Sequence, residues 1–147
     1  MVRVLKGRSL VAGQASGRAL VTREPISFWG GWCPRTGEII DRRHELSGVM
    51  AAGRVFVFPR GRGSSTASAI LLESIKNGVA PAGIVNLDVE PILALGSIVS
   101  DELYQRPIPI VVLDEPDFFS LKQNDDIHID PDGTVTVRPN SSDPTSP

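Results

Sequence analysis

The chain has 147 residues and a formal net charge of −2, with 41% hydrophobic, 22% charged and 5% aromatic residues. This length and composition predict one soluble globular domain that is large enough to bury a core. The negative net charge argues against a protein that binds the nucleic-acid backbone, and the scarcity of aromatics argues against stacking on single strands.

The cysteine count and the apolar runs exclude further classes. A single cysteine, Cys33, permits no intrachain disulfide and no metal site made of cysteines of this chain alone. No apolar run approaches the roughly 18 residues of a membrane-spanning helix. The start, MVRVLKGRSLV, is too polar and too broken for a secretory signal. We therefore expect a cytoplasmic protein with neither a membrane nor a nucleic acid as its partner.

The first third of the chain predicts β structure followed by a long irregular excursion. In residues 2–26, valines and leucines at roughly alternate positions predict two β segments around a glycine-containing bend. Residues 25–48 are rich in Gly, Pro and polar turn residues, which predict a long loop with at most one hairpin, of a kind often used for binding. Its aromatics, Phe28, Trp29 and Trp32, could pack the loop onto the body or contact a partner, and packing is favoured.

The middle of the chain alternates strands and helices. Residues 54–59 predict a buried strand, and a helix follows from about residue 65 to Lys76, ending at an Asn-Gly pair. The later elements are a strand, a helix with Pro91 in its first turn and Gly96 as a weak point, a further strand, a helical turn and a hairpin around Pro-Asp-Gly. These lie at residues 82–87, 90–104, 108–113, 117–122 and 125–137.

This order predicts an α/β fold. Strand, helix, strand, helix, strand implies a right-handed parallel β-α-β core, and the terminal β segments should add antiparallel strands. We expect a three-layer β/β/α body over residues 1–138. Residues 139–147 form a Pro/Ser tail without apolar content, which predicts disorder.

The loop PRGRGSSTAS, residues 59–68, lies where an α/β sheet binds its ligands, at the carboxyl end of a strand. Gly61 and Gly63 permit close backbone approach and unusual dihedral angles, and Ser64 or Ser65 can cap the helix that follows. The free N–H groups of a helix start attract anions. Two arginines, Arg60 and Arg62, suit a carboxylate or phosphate.

Established loop motifs do not fit this stretch. The spacing and the lysine of a P-loop are missing, G-x-G-x-x-G fails because residue 66 is threonine, and no G-x-S-x-G elbow is present. From the residues alone, a serine cap with solvated arginines and an anion-binding loop both stay open.

Wider stretches of the sequence resemble one known family. GRGSS after an apolar strand is similar to the serine-bearing G-S-G-S-S loop in the swivelling domain of the aconitase superfamily. The likeness is closer to its aconitase X branch, carried by SGRALVTREPISFWGGWCPRTGEIID, GRVFVFPRGRGSSTAS, APAGIVN and EPILALGSIVSDELY. Together these cover roughly residues 7–113, most of the chain, in the expected order.

The resemblance implies the small subunit of a heteromeric hydro-lyase whose active site lies between a large catalytic subunit and this swivel domain. The large subunit would hold iron or an iron–sulfur cluster, and this chain no metal. The family's serine base carries over onto Ser64, and we expect its neighbours in the loop, Gly61, Arg62, Gly63, Ser65 and Thr66, to bind the substrate. Ordinary aconitases have an arginine where Thr66 stands, so either Arg60 or Arg62 would bind the small carboxylate substrate.

Two substrates are implied by the resemblance. The sequences of these motifs favour cis-3-hydroxy-L-proline, which loses water to give a pyrroline carboxylate. Phosphomevalonate of the mevalonate route is the alternative. A third hypothesis, of another class, is a binding or regulatory module without catalysis.

Other chemically distinctive residues have simpler interpretations. A lone histidine such as His44 is more often a surface or packing residue than a functional one, and His128 is expected on the solvated face of the last hairpin. Cys33 is interpreted as incidental rather than as a cluster ligand. The stretch DPDG at 130–133 is explained by a hairpin turn, since it lacks the rest of a calcium loop.

Overall fold

The computed structural model describes residues 1–62 and 66–140. Within that part of the chain, eight strands form one sheet with the order β1-β8-β7-β3-β4-β5-β6-β2. The strands are β1 Arg3–Lys6, β2 Arg8–Val11, β3 Ala15–Val21, β4 Val55–Val57, β5 Gly83–Asn86, β6 Ile110–Val112, β7 Asp126–Ile129 and β8 Thr134–Arg138. The helices are α1 Phe28–Gly31, α2 Ala67–Lys76 and α3 Pro91–Tyr104, with a 3₁₀ turn at Phe118–Ser120.

The predicted parallel core and its antiparallel additions are confirmed. Strands β3, β4, β5 and β6 pair in parallel; the excursion connects β3 to β4, α2 connects β4 to β5, and α3 connects β5 to β6. Strand β2 pairs antiparallel with β6, and β7 and β8 form the predicted hairpin. Strand β3 belongs to both parts, because residues 15–18 pair antiparallel with β7 while residues 19–21 pair in parallel with β4.

Alternate residues of the parallel strands face two different cores, which gives the three layers. One face packs on the terminal strands, through residues such as Ala19, Val55, Val85, Val111, Ile127 and Val135. The opposite face packs under the helices, through residues such as Leu20, Phe56, Ile84, Ile110, Leu71 and Leu93. Burial on both faces explains why these strands read as continuous apolar runs. The β/β/α arrangement is thus confirmed.

Gly96 is the contact point of the two long helices. A Cβ at this position would lie 2.7 Å from the carbonyl oxygen of Ser68 and 3.2 Å from its Cα. The glycine that predicted a weak point in α3 therefore permits the close approach of α2. Helix α3 begins with Pro91 and ends at Gln105 in the left-handed conformation, and α2 ends before Gly78, whose φ is +73°.

Residues 2–26 contain three strands, so the prediction of two is wrong. The break is at Gly7, where a Cβ would lie 2.2 Å from Val111 Cγ1 and 2.9 Å from the carbonyl oxygen of Gly133. Here the chain passes from the pairing with β8 to the pairing with β6. There is no room for a side chain at Gly7, and the local sequence pattern does not indicate that a strand ends there.

The excursion over residues 25–48 is more ordered than predicted. It holds the short helix α1, and antiparallel bridges join Trp32 to Ile39 and Glu38 to Met50. Phe28 and Trp32 are each 1% exposed and pack on the helix-side core, whereas Trp29 is 60% exposed. Packing is therefore confirmed for two of the three aromatics and wrong for Trp29. At the other end of the chain, residues 141–147 of the predicted tail lie outside the described residues.

Candidate functional site

The loop after β4 is fixed by backbone hydrogen bonds to two neighbouring segments. The N–H of Ile26 donates to the Arg60 carbonyl at 3.1 Å, and the N–H of Arg62 donates to the Ile26 carbonyl at 2.8 Å. On the other side, the N–H groups of Leu87 and Asp88 both donate to the Pro59 carbonyl at 3.1 Å. The loop therefore lies at the carboxyl edge of the parallel strands, between the segments that follow β3 and β5, where α/β proteins bind ligands.

A carboxylate holds the loop from a third direction. The N–H of Gly61 donates to Glu90 Oε1 at 2.7 Å. Glu90 is the N-cap residue of α3, yet its side chain makes no hydrogen bond to its own helix. A small cavity beside this contact is lined by residues from the loop, from the excursion after β3 and from the starts of both long helices: Ile26, Phe28, Gly61, Arg62, Ala67, Glu90, Ile92 and Leu93. The positive ends of α2 and α3 thus converge near the loop.

The positions of the predicted site residues divide into two groups. Gly63, Ser64 and Ser65 lie outside the described residues, and so does the predicted serine cap. Arg62 is exposed at the end of the described loop, and exposed Thr66 immediately precedes α2 without a side-chain cap hydrogen bond to it.

The two arginines of the loop differ in their partners. Arg60 Nε lies 2.5 Å from Asp88 Oδ2, and both side chains are half exposed. Within residues 1–62 and 66–140, no hydrogen bond or ion pair engages the side chain of Arg62. Arg62 is therefore the better available cation for an anionic ligand, while Arg60 is already paired with Asp88.

Gly61 is not required by steric crowding. Its φ is not in the positive region, so the unusual dihedral angle that a glycine permits is not used at this position. A Cβ would lie 3.4 Å from Glu90 Oε2 and 3.5 Å from Glu90 Cδ, which is ordinary van der Waals contact.

The charge of Glu90 is disfavoured by its surroundings. Burial raises the pKa of the Glu90 carboxyl, the Gly61 N–H opposes this, the nearby Asp88 raises the pKa further, and Arg60 lowers it. A carboxylate that is easier to protonate therefore lies against the loop that carries the predicted serine.

The histidines lie elsewhere. His44 is 6% exposed, and its Nδ1 accepts a hydrogen bond from the Leu46 N–H at 3.0 Å, so the packing interpretation is confirmed. His128 alternates with buried Ile127 and Ile129, as predicted, and contacts Ser16 Oγ at 2.5 Å on the outer face of the hairpin.

Cys33 lies in the turn after α1, where a hydrogen bond with Thr36 lowers the pKa of its thiol. No three His, Cys, Asp or Glu side chains among the described residues are grouped so that they could hold a metal ion. Over the same ranges, no helix combines the length and the apolar character needed to cross a membrane.

Sequence reasoning missed Ile26, Asp88 and Glu90 as part of this site. A usable signal existed, because Asp88 and Glu90 follow β5 directly and the carboxyl ends of neighbouring parallel strands meet at one edge of the sheet. The contribution of Ile26 depends on the path of the excursion, which has no periodicity from which it could be predicted.

Comparison with known proteins identifies relatives over most of the chain. The family model described as the aconitase X swivel domain matches residues 4–137. The cis-3-hydroxy-L-proline dehydratase of Pseudomonas aeruginosa is 52% identical over 108 residues, which are 74% of this chain and 19% of that protein. The phosphomevalonate dehydratase small subunit of Methanosarcina acetivorans is 41% identical over 126 residues, 85% of this chain and 83% of that protein.

A solved structure agrees in fold. The crystal structure of Thermococcus kodakaraensis aconitase X in its holo-form matches with a TM-score of 0.81 at 39% identity, covering 92% of this chain and 98% of that one. The chain thus spans 19% of the length of the Pseudomonas relative but 83% of the Methanosarcina small subunit.

Proposed function

This chain belongs to the aconitase X swivel-domain family, and from that membership we propose that it is the small subunit of a heteromeric hydro-lyase. The observation that carries the proposal is the Gly-Arg-Gly-Ser-Ser loop at the carboxyl edge of β4, in a chain that matches the family along residues 4–137. The active site is completed when this edge meets a large catalytic subunit.

Ser64 is the proposed base. As an alkoxide it takes up the proton from the carbon next to the substrate carboxylate, the electron pair of that C–H bond forms a carbon–carbon double bond, and the hydroxyl on the adjacent carbon departs as hydroxide, which takes up a proton from solvent to give water. A serine hydroxyl is a weak base unless its alkoxide is stabilised. The positive end of α2, which begins three residues later at Ala67, and the guanidinium of Arg62, which has no ion-pair partner among the described residues, support that role.

The remaining loop residues are proposed to bind the substrate. Arg62 binds the substrate carboxylate, since Arg60 is engaged by Asp88. The backbone at Gly61 and Gly63 and the hydroxyls of Ser65 and Thr66 would line the rest of this side of the cleft.

The proposed substrate is cis-3-hydroxy-L-proline. Loss of its α-proton and its 3-hydroxyl gives an enamine, which tautomerises to the pyrroline carboxylate. The 52% identity to the Pseudomonas hydroxyproline enzyme, against 41% to the Methanosarcina small subunit, supports this choice. Phosphomevalonate is the second candidate, and the match to 83% of the length of a named small subunit supports it.

The partner and the cofactor belong to the same proposal. The large subunit would hold the iron or the iron–sulfur cluster, which would act as a Lewis acid on the departing hydroxyl. Since the described residues of this chain offer no fitting ligand group, none of the steps assigned to the chain passes through the metal. We place the enzyme in the cytoplasm.

Reconstitution tests the proposal. The chain, co-purified with a large aconitase X subunit, is expected to dehydrate one of the two candidate substrates, while the chain alone is inactive. Ser64→Ala should lower kcat by about 10²- to 10⁴-fold, the usual contribution of a general base, and leave the complex assembled. Ser47→Ala, at an exposed serine in the excursion, is the matched control and should keep the wild-type rate.

Three outcomes are informative. Normal turnover by the Ser64→Ala complex would show that another group is the base. Binding to the large subunit without turnover of either substrate would favour a different carboxylate. If no large subunit binds, the alternative of a binding or regulatory module gains.

A further inference from the structure

The contact between Glu90 and Gly61 differs from the usual behaviour of a glutamate at a helix start. Such a side chain normally accepts hydrogen bonds from its own helix or points into solvent. The carboxylate of Glu90 instead reaches across to the Gly61 N–H at 2.7 Å and makes no cap hydrogen bond to α3. Because Pro91 has no N–H, the first helical residue offers this carboxylate no donor.

The contact involves a partly desolvated carboxylate. Glu90 lines the small cavity between the loop and the two helix starts, and burial raises the pKa of its carboxyl. A charged group kept in such a place is unfavourable in itself, so the Gly61 N–H is the compensating partner that the site supplies.

The Arg60–Gly61 peptide is held from two sides, and Glu90 supplies the second of them. The bonds to Ile26 hold Arg60 and Arg62, and the pair of bonds from residues 87 and 88 holds Pro59. The N–H of Gly61, three residues before Ser64, is bound by the side chain of Glu90.

We propose that Glu90 is a positioning residue that sets the orientation of the serine loop through the Gly61 N–H. This rests on the proposed role of Ser64 as the base. The Arg60 carbonyl of the same peptide is bound by the Ile26 N–H, so removal of the acceptor leaves this peptide with one partner instead of two and holds the start of the loop less firmly. Displacement of a catalytic group by about 1 Å can reduce the rate roughly 10²-fold without loss of the fold.

The kinetic test compares two substitutions in the complex with the large subunit. Glu90→Ala removes the acceptor and should lower kcat about 10- to 100-fold, while KM changes by less than about threefold. Glu90→Gln keeps an acceptor oxygen and should recover most of kcat. Glu73→Ala, at an exposed glutamate of α2, is the matched control and should leave both constants unchanged. Equal losses in the Ala and Gln variants, or a wild-type kcat in Glu90→Ala, would overturn the proposal.

A second measurement on the free chain separates this proposal from the catalytic one. The ¹⁵N and amide proton shifts of Gly61 should titrate with the Glu90 carboxyl, and this titration should vanish in Glu90→Gln. The charged groups near Glu90 are Asp88, Arg60 and Arg62, so Asp88→Asn identifies any step that belongs to Asp88.

The positioning role of Glu90 and the proposed reaction can be refuted separately. A Gly61 titration that vanishes in Glu90→Gln, in an assembled complex that turns over neither substrate, would leave the contact intact and refute only the proposed reaction. A Gly61 amide that does not respond to Glu90, in a complex that turns over normally, would refute the positioning role alone.

Discussion

Substitution of Gly96 by alanine tests whether the close contact of α2 and α3 is required. A glycine inside a helix costs about 1 kcal/mol relative to alanine, so propensity alone predicts that Gly96→Ala stabilises the protein. The structure predicts the opposite, because the new methyl group would lie 2.7 Å from the Ser68 carbonyl oxygen and 3.2 Å from its Cα. These are backbone atoms, so the conflict is relieved only if one helix moves.

The net effect can be estimated from two opposing terms. Overpacking in a well-filled interface costs typically about 1–3 kcal/mol, from which the propensity gain of about 1 kcal/mol is subtracted. The expected net loss is about 1 kcal/mol, which for a chain of this size lowers Tm by roughly 2–4 °C. Differential scanning calorimetry of wild-type and variant chains measures it directly.

Gly31→Ala is the matched control. A Cβ there would have Asp41 Cβ as its nearest atom, at 3.5 Å, which is ordinary contact. Its Tm should stay within about 2 °C of the wild type, the shift expected for a change of about 0.5 kcal/mol. A Tm for Gly96→Ala that equals or exceeds the wild-type value would show that α2 and α3 tolerate a wider separation, and the reasoning would be refuted.

Three further outcomes are expected. Trp32→Phe loses the buried hydrogen bond from the indole N–H to Ser74 Oγ at 2.9 Å and leaves a void. The free energy of unfolding measured in urea should fall by about 2–3 kcal/mol, and an unchanged midpoint would contradict this. In the reconstituted enzyme, Arg62→Gln should raise KM about tenfold or more, whereas Arg60→Gln should raise it much less; the reverse order would assign the carboxylate to Arg60. The pKa of Glu90 is raised in the folded state, so the stability that this group contributes is complete below the ordinary value of 4.5 and is lost as pH rises through the folded pKa. The Tm of Glu90→Gln should therefore exceed the wild-type Tm by a margin that grows between about pH 4 and pH 8. A constant difference would show that the pKa is not raised.

The parts of the fold that could be predicted are those whose periodicity is local. The runs at β4, β5 and β6 are apolar because both faces are buried, and the β7–β8 hairpin alternates around Pro-Asp-Gly because one face is solvated. Each signal lies within a few residues, so the elements and their parallel order followed from the sequence alone.

The parts that could not be predicted depend on contacts between distant residues. Gly7 ends β1 because of Val111, and Gly61 is held by Glu90, which is 29 residues away. A local pattern does not reveal which glycine faces which neighbour. The serine loop itself was found through its resemblance to a family, and the structure adds its anchors while Gly63, Ser64 and Ser65 lie outside the described residues.

The division of β3 between the two halves of the sheet has a consequence for how the domain unfolds. Its first residues hold the terminal hairpin, and its last residues hold β4, whose carboxyl end leads into the serine loop. Neither half has its own complete set of hydrogen bonds without this strand, so the two β layers cannot separate as independent folding units. Removal of the hairpin would expose the β3-side core, including Ala19 and Val55, and would loosen the strand on which the loop depends.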